Sequence, residues 1–116
     1  MNATGRIIEV VRIGETVVLT PRRDLRELEF VRIQHEFEAV ADDPSVRSVV
    51  VDFGRTDTLG STAVGMLVRL GQVTRRRGGG LSLCGLSEHE REVLRATGLA
   101  DSWPTYATLA DALQAA

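Results

Sequence analysis

The apolar positions of this chain follow two rhythms, one of period two and one of three to four, and they alternate from end to end. Residues Arg6–Ile13 and Thr16–Thr20 are dense in Ile and Val and are separated by Gly14-Glu15. A two-residue loop with glycine first suits a II′ turn, so these segments predict an antiparallel hairpin. Pro21-Arg22-Arg23-Asp24 then breaks the strand, and Asp24 is a good N-cap for a helix reaching about Ala41. In that stretch Phe30, Ile33, Phe37 and Val40 recur at helical spacing on one face, and Asp42-Asp43-Pro44 reads as its solvated end. Val46–Phe53 is a short, mostly apolar run of the kind found in interior strands.

A second helix is predicted from Ser61 to about Arg77, with Ala63, Met66, Leu67, Leu70 and Val73 inward and Gly78-Gly79-Gly80 as its stop. Leu81–Leu86 is the next strand. Ser87-Glu88-His89-Glu90 carries the capping-box pattern for a third helix ending near Gly98, and Thr108-Leu109-Ala110-Asp111 carries it for a C-terminal one. The segment around Trp103–Tyr106 supplies a last edge strand. The order β-β-α-β-α-β-α-β-α predicts an α/β fold: a mixed sheet, opened by the hairpin and continued by β-α-β units, with about four packed helices. No internal repeat, low-complexity stretch or linker interrupts residues 1–116, which read as a single domain.

Composition narrows the function. The formal net charge is −2 and about a quarter of the residues are charged, a balance that favours neither nucleic acid nor an anionic membrane. Every basic residue is Arg. The absence of lysine excludes Schiff-base chemistry and a phosphate-loop lysine. Cys84 is the only cysteine, which rules out an internal disulfide and suits a reducing compartment. No signal peptide or membrane span is evident, so a soluble, cytoplasmic protein is expected.

Few of the chain's motifs carry chemistry of their own. Gly54 and Gly60-Ser61-Thr62, between a strand and a helix, have the outline of a phosphate-binding loop, but the glycine spacing is one residue too long and the lysine is missing. Gly60-Ser61 lacks the G-x-S-x-G elbow of a serine hydrolase. His35 and His89 fall on the polar sides of their helices, and one Cys with two distant His is no metal cluster. Arg75-Arg76-Arg77 complements the dipole of a helix C-terminus, Cys84 reads as a small core residue, and Trp103 as a core or edge anchor rather than a partner contact. Ser61 is left as the residue of interest. Its hydroxyl stands at a helix start, where it serves either as a cap or as a group to be modified.

The ordered elements are similar to those of the STAS-domain anti-sigma factor antagonists, nearly end to end. Val18-Leu19-Thr20-Pro21-Arg22-Arg23-Asp24 resembles the family's strand-closing element, and Val49-Val50-Val51-Asp52-Phe53 its apolar strand ending in Asp. Gly60-Ser61-Thr62-Ala63-Val64-Gly65-Met66-Leu67 resembles the signature at the start of the second helix. Gly79-Gly80-Leu81-Ser82-Leu83, Val93-Leu94-Arg95-Ala96-Thr97-Gly98-Leu99 and the Ala-rich ending follow the distal pattern. There are two departures. Gly60 stands where the family has an acidic residue, and Pro21-Arg22-Arg23 adds positive charge before Asp24.

The resemblance implies a binding module and not an enzyme: no catalytic residues, no cofactor, no metal. It implies that an anti-sigma factor with serine-kinase activity binds the domain, that phosphorylation of Ser61 releases it, and that a PP2C-type phosphatase restores it, regulating transcription. Asp24, Gly60, Ser61, Thr62, Val64 and Gly65 would form the partner-binding surface, with the two glycines letting a partner's backbone come close. The other member of the same class is a phosphorylation-independent STAS scaffold or accessory subunit, in a stressosome-like or lipid-transport ATPase complex. Direct nucleic-acid or membrane binding is not expected, and the oligomeric state is left open.

Overall fold

The computed structural model describes residues 7–24 and 27–115. Its elements run β1 (Ile8–Ile13), β2 (Thr16–Pro21), α1 (Glu27–Asp42), β3 (Ser48–Asp52), α2 (Ser61–Arg76), β4 (Leu81–Cys84), α3 (Glu88–Ala96), β5 (Thr105–Tyr106) and α4 (Leu109–Ala115). The order expected from the hydrophobic pattern is therefore the order observed. The strands form one sheet in the sequence β1-β2-β3-β4-β5. β1 pairs antiparallel with β2, Ile13 opposite Thr16, and every later pair is parallel. At the hairpin Gly14 takes a φ of +62° and Glu15 does not turn positive, as a II′ turn requires. The expected N-cap role of Asp24 for α1 involves residues 25 and 26, which lie outside the described residues.

Sequential strand order explains how the helices are distributed. Each parallel pair is joined by a crossover helix, and right-handed crossovers along a sheet laid down in one direction put all of those helices on the same face. Ile33, Phe37 and Val40 of α1, Ala63, Met66, Leu67 and Leu70 of α2 and Leu94 of α3 accordingly share one core with Val17, Leu19, Val49, Val51, Leu81 and Leu83. The alternate strand residues Val18, Val50 and Cys84 point to the other face. There α4 covers them with Ala112, backed by Leu109 and Leu113. Cys84 is fully buried, and burial pushes its thiol up to about 12, which suits a core residue rather than a reactive one.

The helix ends are closed by local chemistry. Ser87 accepts the N–H of Glu90 while Glu90 accepts that of Ser87, so the predicted capping box of α3 is complete. Thr108 Oγ1 accepts the N–H of Asp111 at the start of α4. α2 and α3 both finish in Schellman turns around Gly78 and Gly98, with Gly79 N–H donating to Thr74 O and Leu99 N–H to Leu94 O.

Two surface readings are corrected. Asp42-Asp43 is more than a solvated end: Asp42 meets Arg69 at 3.1 Å, and Asp43 accepts both the N–H and the hydroxyl of Ser45 and meets Arg12. Nor does Arg77 serve the end of its own helix. It donates to the carbonyls of Ala41 and Val46, locking the C-terminus of α2 to that of α1.

Trp103 acts as the anchor expected of it. Its indole lies against α2 where Gly71 leaves the helix bare, and a Cβ at Gly71 would come within 2.4 Å of the ring nitrogen. Gly71→Ala should therefore lower stability by about 1–2 kcal/mol, although alanine is the better helix former. Thermal unfolding followed by the fluorescence of this single tryptophan checks it, and a variant as stable as the parent with unshifted emission would contradict the packing.

Candidate functional site

Between the end of β3 and the start of α2, residues 53–60 carry no regular structure, and their position has to be set by side chains. The loop leaves the sheet tightly: Phe53 N–H donates to Cys84 O and Asp52 Oδ1 accepts the N–H of Gly54 at 2.8 Å. Thr56 N–H then closes a turn onto Phe53 O.

From there the loop is gripped from two sides. On one side Asp24 Oδ1 accepts the backbone N–H of Asp57 at 2.7 Å and of Thr58 at 3.0 Å. These bonds, Thr58 first, together with the Thr58 hydroxyl and nearby His89, hold the Asp24 carboxyl below the usual range. On the other side stands the first turn of α3. Ser87 Oγ donates to Asp57 O at 2.7 Å, and Glu90 Oε2 pairs with the hydroxyl of the buried Thr56. Leu59, buried, plugs the end of the loop into the core beneath.

Glu90 is the least expected member of this set. It is 0% exposed, and burial pushes its carboxyl above the usual range against the opposing bonds from Ser87 and Thr56. The neutral form fits the geometry well. A protonated Oε2 donates to Thr56 Oγ1, whose own hydrogen then reaches Phe53 O at 3.2 Å, while Oε1 keeps the Ser87 N–H at 2.8 Å. No buried side-chain N or O among the described residues lacks a partner. Sequence reasoning found Ser87 and Glu90 as a capping box but not their hold on Thr56. No local signal marks one capping-box glutamate as buried and another as solvated.

The loop delivers Gly60 and Ser61. Gly60 is the N-cap of α2, with no side-chain capping bond, and Ser61 is the first residue of the helix proper. This corrects the reading of Ser61 as a cap. Its hydroxyl is exposed and makes no hydrogen bond among the described residues. No acidic residue stands in the first turn.

The other expected surface residues divide. Gly65, one turn beyond Ser61 on the same face, is exposed, and a Cβ there or at Gly60 would meet nothing within 4 Å. Gly60 has φ −90° and ψ 172°, a conformation open to any residue. Neither glycine is required by the turn or by packing. Val64 packs partly against the core and Thr62 is half-buried, so both also serve the fold. Asp24 reaches the site through its bonds to the loop rather than by touching Ser61. Asp57 contributes its backbone N–H and C=O to the loop's anchorage.

Among the described residues no group of His, Cys, Asp and Glu could hold a metal ion, and no helix is long and apolar enough to cross a membrane. A groove of about 600 Å³ lies by Gly71, Arg75 and Trp103 along the C-terminal half of α2, away from Ser61.

The sequence model of the STAS domain matches residues 8–112. The chain belongs to the STAS domain family. Among solved structures this STAS domain is similar to an anti-sigma-factor antagonist (STAS) domain protein from Planctomyces limnophilus, at 31% identity and a TM-score of 0.83, covering 93% of this chain and 96% of the other. The fold also matches a putative anti-sigma factor antagonist from Thermotoga maritima, with 17% identity, a TM-score of 0.81 and 97% of each chain covered. It matches the phosphorylated form of the Bacillus cell fate determinant SpoIIAA, with 20% identity, a TM-score of 0.74, and 92% and 96% covered. No curated protein sequence matches significantly. The mixed five-stranded sheet and its helices are the STAS fold expected from the ordered motifs.

The Glu90 anchor has a pH signature. A carboxyl whose pKa is raised by folding adds stability that is complete below its unfolded value and is lost as pH rises through the folded one. Replacing it with Gln removes that slope, whereas the carboxylates held low, Asp24 and Asp43, produce the opposite slope in acid in both proteins. The stability difference between Glu90→Gln and its parent should therefore move in the variant's favour between about pH 4 and 7. Urea titrations across that range check it, and a constant difference would show that Glu90 keeps an ordinary pKa.

Proposed function

We propose that this STAS domain is an anti-sigma factor antagonist: it binds an anti-sigma factor that is also a serine kinase, and phosphorylation of Ser61 releases it. The observation that carries this reading is the bare, exposed surface around Ser61. A glycine inside a helix costs about 1 kcal/mol relative to alanine, yet the fold makes no use of Gly65 and none of Gly60. A partner whose backbone lies close against the first turn of α2 would require both. The loop beneath is tied down on two sides, so the surface is presented preformed and a partner pays little ordering cost on binding.

The switch needs no change of shape. Phosphoserine adds about −1.5 to −2 charges and three acceptor oxygens. At an exposed first helical residue the fold tolerates them, because the N-terminal end of the helix dipole favours negative charge. A partner packed on the same spot would have to bury that charge or oppose it with its own. A loss of three to four powers of ten in affinity corresponds to about 4–5.5 kcal/mol. In this reading the domain has no catalytic activity of its own, acts in the cytoplasm, and is returned to its binding form by a PP2C-type phosphatase.

One observation favours a second reading. With Gly60 as the N-cap and no acid in the first turn, the carboxylate that would stand beside the phosphoacceptor is absent. A STAS scaffold or accessory subunit that docks constitutively through the same helix face would need no such group. Incubation with the cognate kinase and ATP, followed by mass spectrometry, decides between the two: phosphate on Ser61 supports the switch, and none supports the scaffold.

For the switch, Ser61→Asp should abolish kinase binding in calorimetry while Ser61→Ala binds as the parent does. Because Ser61 is not the cap, each should change unfolding free energy by less than about 0.5 kcal/mol. Equal binding by the two variants would sink the switch. Gly65→Ala should raise stability by about 0.5–1 kcal/mol and weaken binding. A stabilised variant with unchanged affinity would remove Gly65 from the interface.

A further inference from the structure

We propose that Arg23 is the residue that receives the phosphate when Ser61 carries one, so that this chain holds its own modified side chain in an intramolecular ion pair. The inference rests on Ser61 being the phosphoacceptor and concerns the fate of the phosphate once attached.

Arg23 is placed by Asp24, the next residue, whose carboxylate is bonded to Asp57 and Thr58 just ahead of Ser61. The bend that carries Arg23 is thereby fixed against the loop that delivers Ser61. Arg23 and Gly60 line the same narrow cleft, together with Thr58 and Ala63, which puts Arg23 beside the residue that precedes Ser61. On its far side Arg23 is held by Glu29, Nη1 donating to Oε1 at 2.9 Å and Nη2 to Oε2. The carboxylate is the more enclosed partner, its side chain 18% exposed against 54% for Arg23. Glu29 thus anchors one edge of the guanidinium, and Nη1 also donates to Asp24 O at 3.4 Å, which leaves Nε–H and the second Nη2 hydrogen for a further acceptor.

A phosphate is the acceptor that such a fork suits, since guanidinium–phosphate pairs are charge-assisted and commonly bidentate. In the proposed pair Arg23 bridges Glu29 and the phosphate. The neighbouring Arg22 serves as an internal contrast, because it is turned to Glu9 of β1 at 3.3 Å. Arg55 and Asp57, both exposed, also lie on the loop, and His89 stands close enough to Asp24 to lower its pKa.

The test installs phosphoserine at position 61 during translation, so that no kinase is needed and a failure here is separate from a failure of Ser61 to be phosphorylated. All samples carry His89→Gln, which removes the imidazole that stands near Asp24. Phosphorus NMR then follows the second ionisation of the phosphate. A paired guanidinium favours the dianion, so Arg23→Gln should raise the apparent pKa by about half a unit. Arg23→Lys should restore part of the shift, and Arg22→Gln should leave it unchanged. The proposal is overturned by equal pKa values with and without Arg23, or by an Arg22→Gln effect as large as that of Arg23→Gln, which would reduce it to net charge.

Discussion

The eight residues between β3 and α2 form no helix or strand and close only one turn of their own, and where they lie depends on two carboxyl groups from distant parts of the chain. Asp24 takes the backbone N–H groups of Asp57 and Thr58, and Glu90 takes Thr56 from the opposite side. The two groups work in opposite electrostatic regimes. Asp24 is exposed and charged, stabilised as an anion by the amides it accepts, while Glu90 is wholly enclosed and pushed towards its neutral form. The loop is consequently held by bonds that leave no buried group unmet among the described residues, and the start of α2 is held with it.

Fold and function make different demands on α2. Its inward face is dense and its C-terminal half is fitted closely, Gly71 against Trp103 and Arg77 across to the end of α1. Its first turn and a half shows the reverse on the outward side, with Gly60 and Gly65 facing open space and between them a serine hydroxyl that makes no hydrogen bond among the described residues. Positive charge from Arg23 beside this surface, held in reserve by Glu29, gives the same region a way to answer a change of charge at Ser61.

Element order, the hairpin turn, the α3 capping box and the glycine stops could all be read from the chain because each is set by residues a few positions apart. So could the placement of Ile33, Phe37 and Leu70 in the core, which follows from helical period alone. Ser61 stands at the start of α2 as expected, and of the two roles left open for it the structure removes that of cap, which falls to Gly60 because cap and first residue share the same sequence signal. Asp42, Asp43 and Arg77 were read as local helix-end chemistry, whereas each reaches another element.

The contacts that hold the site escaped such reading for one reason. Asp24 and Thr58 are 34 residues apart, as are Thr56 and Glu90, and neither periodicity nor a cap motif encodes a contact over that distance. The amino-acid order settled which segments become strands and helices and put a serine at the start of α2, since those outcomes depend on hydrophobic period and on groups within one turn. Which carboxylate is charged, which is buried, and which glycines the fold can spare were settled by packing, because burial and desolvation exist only once the sheet has brought its crossovers together.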